Sequence, residues 1–236
     1  QPDIKSPACA LDAIRNYSGE NVSYSHSAGL MDLRKGLVEK YYKKIGIDIS
    51  VDELIVTVAG SESVNLALEI TCNPGDEVLV LEPFYTNYNT FAFMNGLTLK
   101  AISTDIRKGF QIPDIEEFEK AITDKTKAIL ICNPGNPTGT QYSKESMLAL
   151  GEIARKHDLF LLSDEVYREF CYTDEPHFSA MNIPGLEQNV VLIDSVSKRY
   201  NLCGARVGCI VSHNKDVMTA AMKFAQARLC PPVIGQ

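Results

Sequence analysis

Apolar residues along the chain fall into two rhythms: short continuous runs, and longer stretches with one apolar face. The runs are Leu54–Val58, Glu77–Leu81, Leu97–Ile102, Lys127–Ile131, Leu159–Leu162, Asn189–Ile193 and Val207–Val211. Each has strand length, and apolar side chains at successive positions predict strands covered on both faces. The stretches between them have helical spacing. From Gly29 to about Gly46, one face carries Leu30, Leu33, Leu37, Val38, Tyr41 and Tyr42. The turn Ala59-Gly60-Ser61 opens a second helix with Val64, Ala67, Leu68 and Ile70 aligned. Further helices are expected from Pro83 to about Met94, from Glu116 to Ile122 and from Ser143 to His157. A last one follows Asn214, a residue type suited to an N-cap, with Val217, Met218, Ala221 and Ala225 on its apolar face. Residues 1–16 show little periodicity, and Tyr17–His26 is polar and loop-like. Seven strands mostly separated by helices predict an α/β fold, a three-layer α/β/α arrangement around a mostly parallel seven-stranded sheet. The expected organisation is an N-terminal segment (1–16), a large domain (17–213) and a helix leading onward (214–236).

A length of 236 residues with 45% hydrophobic and 22% charged residues suits one sizeable core. The net charge of −7 and the lack of a Lys/Arg run argue against a nucleic-acid partner. Runs such as Leu159–Leu162 are far too short to span a bilayer. Gln1-Pro2-Asp3-Ile4-Lys5 has none of the character of a signal peptide, so a cytoplasmic location is expected. The seven cysteines form no C-x-x-C pair, which fits free thiols in a reducing compartment. The four histidines are scattered without metal-ligand spacing, so no metal site is expected.

The chemistry concentrates at strand ends, where open α/β sheets bind ligands. Asp194-Ser195-Val196-Ser197-Lys198-Arg199 follows one apolar run, and Arg206 immediately precedes the next. A lysine there can lose solvation and act as an amine nucleophile towards a carbonyl. Gly60-Ser61-Glu62 forms a strand-to-helix turn whose backbone N–H groups favour an anion, although many helices begin with Gly-Ser. It lacks the lysine of a P-loop, which argues against a nucleoside triphosphate. Asp164 follows the run Leu159–Leu162, as an N-cap or as a carboxylate facing a ligand, and Tyr167 lies three residues on. Asn133-Pro134-Gly135-Asn136-Pro137-Thr138-Gly139 reads as a rigid turn able to hold one amide at a strand end.

Taken together, the N-P-x-N-P-T-G loop, S-D-E-x-Y at 163–167 and S-x-S-K at 195–198 with Arg206 eight residues later resemble the class I/II aminotransferases. These enzymes use pyridoxal 5'-phosphate (PLP), and the match extends from Tyr24 through Arg206. The resemblance implies the large-domain fold of that family and a transfer of an amino group between an L-amino acid and a 2-oxo acid, aspartate being the first expectation. It implies that Lys198 forms the internal aldimine and shuttles a proton. It also implies that Asp164 pairs with the pyridine nitrogen, and that Asn136 and Tyr167 hydrogen-bond the phenolic oxygen. Gly60, Ser61, Glu62, Ser195, Ser197 and Arg206 match phosphate-binding or lysine-flanking positions, and Tyr85 an aromatic ring against the cofactor. Tyr24 matches a tyrosine that reaches the neighbouring subunit's phosphate, which implies a homodimer with shared sites. The family's N-terminal arm and C-terminal small domain, with the arginine that grips the substrate α-carboxylate, have no counterpart here.

Three other readings compete. A PLP-dependent β-eliminating lyase shares the whole cofactor constellation. A cofactor-binding domain without turnover accounts for the two ends. Ser195-Val196-Ser197-Lys198 also satisfies S-x-x-K, the nucleophile motif of β-lactamases and penicillin-binding proteins. Against that last reading, no K-T-G occurs, and Glu165 stands where that family has Asn.

Overall fold

The computed structural model describes residues 4–236; residues 1–3 of the expected N-terminal segment lie outside them. All seven expected strands form: β1 Leu54–Val58, β2 Glu77–Glu82, β3 Thr98–Ser103, β4 Thr126–Cys132, β5 Phe160–Asp164, β6 Val190–Ser195 and β7 Val207–Val211. They make one sheet in the order β1-β7-β6-β5-β4-β2-β3. Only β7 runs against its neighbours, pairing antiparallel with β1 and β6. The other pairings are parallel.

Successive strand residues enter opposite cores, which is why the strands read as unbroken apolar runs. Leu79, Ile129, Leu161 and Leu192 join a core with Tyr42, Phe118, Met147 and Leu150. Their neighbours Val78, Val80, Leu130, Leu162, Val191 and Ile193 join the other, with Val64, Ala67, Tyr88 and Ala221. Three helical segments supply the first layer: α2 (Met31–Lys35, continued as a π-helical stretch over Gly36–Tyr42), α5 (Ile115–Ala121) and α6 (Lys144–Lys156). The second layer comes from α3 (Ala59–Thr71), α4 (Asn87–Met94) and α8 (Lys215–Arg228). This is the expected α/β/α sandwich.

Three differences from the sequence reading have physical causes. The segment Ala8–Arg15 forms a helix, α1, although none of its residues is buried; at eight residues it offers barely two turns in which a periodicity could show. α4 begins at Asn87 rather than Pro83, which leaves Pro83–Thr86 as a loop at the end of β2. The long helix expected from Gly29 winds with π spacing over Gly36–Tyr42, which carries Tyr42 into full burial.

Candidate active site

The parallel strands β4, β5 and β6 end on one side of the sheet together with β1, and a cavity of about 360 Å³ opens there. Ten of the twelve residues singled out from the sequence line it: Gly60, Ser61, Tyr85, Asn136, Asp164, Tyr167, Ser195, Ser197, Lys198 and Arg206. Val64, Phe91, Cys132, Val166 and Cys203 add apolar wall.

Lys198 sits on α7 (Val196–Arg199), a one-turn helix that begins where β6 ends. Ser195 caps this helix by accepting from the Ser197 N–H at 3.1 Å, and its Oγ lies 3.0 Å from the Val207 carbonyl. The cap thereby ties the lysine segment to β7. Lys198 is half-buried, and its Nζ lies 5.8 Å from the centre of the Tyr167 ring. Arg206, at the start of β7, is held by a hydrogen bond from its Nη1 to the Cys203 carbonyl at 2.8 Å.

Asp164 is the last residue of β5 and is only 6% exposed. Its Oδ2 accepts from the Tyr88 hydroxyl at 2.7 Å, and its Oδ1 from the Val166 N–H at 3.3 Å. Burial pushes its pKa up to about 6, against the pull of those two hydrogen bonds, and the nearby Asp194 and Glu165 charges add to the rise. A carboxylate held this way at the bottom of a cavity gains from a cation brought opposite it. Tyr88, which the sequence did not single out, also fixes Tyr85: the two rings meet edge to face at 5.5 Å, and Asn87 Nδ2 donates to the Tyr85 hydroxyl at 2.7 Å.

The turn into α3 is built for close backbone approach. Ala59 adopts a left-handed φ of 60°, as Arg206 does at 55°, conformations that cost non-glycine residues energy and cluster at functional sites. A Cβ on Gly60 would sit 3.3 Å from Val166 Cγ1, tighter than ordinary contact. A Cβ on Gly208 would lie 2.5 Å from the Ala59 carbonyl carbon and 2.8 Å from the Gly60 nitrogen. Gly208 therefore lets β7 pass directly beneath the turn. Sequence reasoning missed it, although a glycine inside an apolar strand is a known sign of such an approach.

Two expected residues lie elsewhere. Glu62, in the first turn of α3, turns its carboxylate away from the cavity: Arg228 of α8 pairs with it at 2.9 Å, and the Val58 N–H donates to it. A guanidinium partner and a cap position satisfy the Glu62 side chain outside the cavity. Tyr24 is 77% exposed and takes no part in the lining.

The lining has the chemistry PLP requires. Backbone N–H groups at the start of the 13-residue α3, hydroxyls on β6 and α7, and the Arg206 cation suit a phosphate. The buried carboxylate suits a protonated ring nitrogen, the Tyr85 ring a planar face and Lys198 an aldehyde. The residues present fit the group.

Comparison with known proteins decides the family. The sequence profile of Aminotransferase class I and II matches residues 2–236. The chain belongs to the class I and II aminotransferases. It is 31% identical, over all of its length, to the aspartate/prephenate aminotransferase of Thermus thermophilus, of which it covers 60%. Among solved aminotransferases, the aspartate aminotransferase of Thermotoga maritima superposes with a TM-score of 0.93 at 32% identity, with 100% of this chain and 62% of that one covered. The alanine aminotransferase of Pyrococcus furiosus superposes at 0.90 with 33% identity, covering 99% of this chain and 60% of that one. The chain spans 44–61% of the length of the curated aminotransferases it matches.

Proposed function

We propose that this chain is the cofactor-holding part of a PLP-dependent aminotransferase that moves an amino group between an L-amino acid, aspartate-like first, and a 2-oxo acid. The convergence of Lys198 and Asp164 on one cavity, from the ends of adjacent strands, carries the reading. Bound PLP supplies an aldehyde that an amine can hold covalently and a ring that draws electrons from the substrate Cα.

The residues divide the work by position. The N–H groups of the Gly60–Ser61 turn and the Arg206 guanidinium neutralise the phosphate, which fixes one end of the ligand. Asp164 stays ionised opposite a protonated nitrogen, because a cation there lowers a carboxylate pKa that burial has raised. Tyr88 donates to the same carboxylate and orients it. Asn136 and Tyr167 would supply donors for an oxygen of the ring, and Tyr85 an aromatic face for it. Lys198 would hold the aldehyde covalently, and its free Nζ would serve as the base that takes and returns a proton at the substrate Cα.

A homodimer with shared sites gives exposed Tyr24 its role, in a neighbouring subunit's cavity. The proposed setting is cytoplasmic. Among the described residues no helix is long and apolar enough to cross a membrane, and all seven cysteines are free thiols.

The test is amino transfer itself. Supplied with PLP, L-aspartate and 2-oxoglutarate, the protein is expected to produce glutamate and oxaloacetate, read by proton NMR, with solvent deuterium entering at Cα. Ammonia release from a substrate with a β-leaving group, without transfer, would assign the site to a β-eliminating lyase. Binding of PLP without either reaction would leave a cofactor-binding domain.

A further inference from the structure

Three residues of the cavity are each followed in the chain by a buried charged residue. Asp164 precedes Glu165, Tyr167 precedes Arg168, and Lys198 precedes Arg199. The three followers leave the cavity and meet in the other layer, among Tyr41, Tyr42 and Ala180.

Arg199 is the centre of this network. Its Nη2 lies 2.8 and 2.7 Å from the two oxygens of Asp194, and its guanidinium stacks 3.7 Å above the Tyr41 ring. Its side chain is 5% exposed, and its Nε is 3.4 Å from Glu169, the one acid of the group that reaches the surface. Asp194 also accepts from the Tyr42 hydroxyl at 2.8 Å and from the Ser195 N–H at 2.7 Å. Burial alone would raise the Asp194 pKa, but Arg168 and Arg199 hold it below the usual aspartate value. Arg168 pairs with Glu165 at 2.9 Å and lies between the Tyr42 and Tyr41 rings at 5.4 and 5.9 Å. Glu165 in turn accepts from Ser163, Ser179 and the Ala180 N–H.

A buried ion pair is weak evidence for net stability, since apolar side chains of the same volume usually serve as well or better. What charges add is direction. α7 has only four residues, too few to hold a helical turn by itself. The place of Lys198 is therefore set by what the rest of α7 grips, and the strongest grip is the two-oxygen contact of Arg199.

We propose that Arg199, locked on Asp194, is the positioning residue for Lys198. The claim rests on Lys198 being the PLP anchor, and its test separates the two. The whole chain is prepared as wild type, Arg199→Gln and Arg199→Lys, and titrated with PLP. The absorbance band of the Lys198 adduct and the fraction of Lys198 trapped by borohydride are measured beside circular dichroism and the thermal midpoint.

Arg199→Gln is expected to keep the dichroism spectrum and to lower the trapped fraction at limiting PLP by about 10-fold, the scale of a sub-ångström to ångström misplacement. Arg199→Lys, which keeps the charge but loses the stacking on Tyr41 and the approach of Nε to Glu169, should fall between. A Gln variant that melts earlier but is trapped as readily as wild type would make the network purely structural and overturn the proposal. Should the Gln variant not fold, the Lys variant decides: an intermediate yield supports positioning, and a wild-type yield refutes it. Wild type that is not trapped at Lys198 at all would remove the underlying reading instead.

Discussion

Replacing Asp164 by asparagine separates what this carboxylate costs the fold from what it does for the ligand. In the cofactor-free protein, burial pushes Asp164 from the ordinary aspartate value of 3.8 to about 6. Between those two values the folded state binds a proton that the unfolded chain does not, so stability falls as pH rises through the window and levels off above it. The difference corresponds to about 3 kcal/mol at neutral pH, as an order of magnitude. The amide of the Asp164→Asn variant carries no charge to bury, keeps the shape, and still offers an oxygen to Tyr88 or Val166. The cofactor-free variant should therefore gain about 1–3 kcal/mol on wild type between pH 4 and pH 7, measured by urea unfolding under circular dichroism at several pH values. PLP at about 1,000 times the wild-type dissociation constant should reverse the order, because it adds ~4.1 kcal/mol to wild type and less to a variant that binds it more weakly. A difference curve that stays flat from pH 4 to 7, or a variant less stable than wild type without cofactor, would refute the reasoning.

Other substitutions probe the supports of the site. Tyr88→Phe removes the hydroxyl that donates to Asp164 at 2.7 Å, a charge-assisted bond of about 1.5–3 kcal/mol; the pH window should extend above 6, and PLP affinity should fall in a fluorescence titration. Gly208→Ala drives a methyl against the backbone of Ala59 and Gly60, and overpacking of about 1–3 kcal/mol should lower the melting temperature by several degrees while weakening PLP binding. Arg228→Ala breaks the tie between α8 and Glu62; neither side chain lines the cavity, so thermal stability should drop while the PLP dissociation constant per folded molecule stays within about twofold.

The sheet was legible because the inner strands are buried on both faces, which leaves an unbroken apolar run such as Val190–Ile193. The reversed direction of β7 was not, since its run looks like the others. The signal lay in the connection: residues 196–206 hold only short helical turns, too little chain for a crossover back to a parallel neighbour. Within the site, the strand-end residues Asp164, Ser195 and Lys198 were legible because strand ends are where ligands sit. Tyr88 was not, because its partner lies 76 residues away and its pattern is that of any core aromatic. The pairing of Glu62 was not legible for the same reason: its partner Arg228 is 166 positions distant. Arg199 stood beside Lys198 in plain view, but only the fold shows that the two cations point to different layers of the protein.

One measurement bears most directly on the central claim. The protein is equilibrated with PLP, reduced with borohydride and digested, and the modified peptide is identified by mass spectrometry. The account predicts a pyridoxyl group on Lys198 as the dominant adduct, lost in Lys198→Ala together with the absorbance band. PLP bound with full stoichiometry while Lys198 stays unmodified, or label scattered over surface lysines, would contradict it.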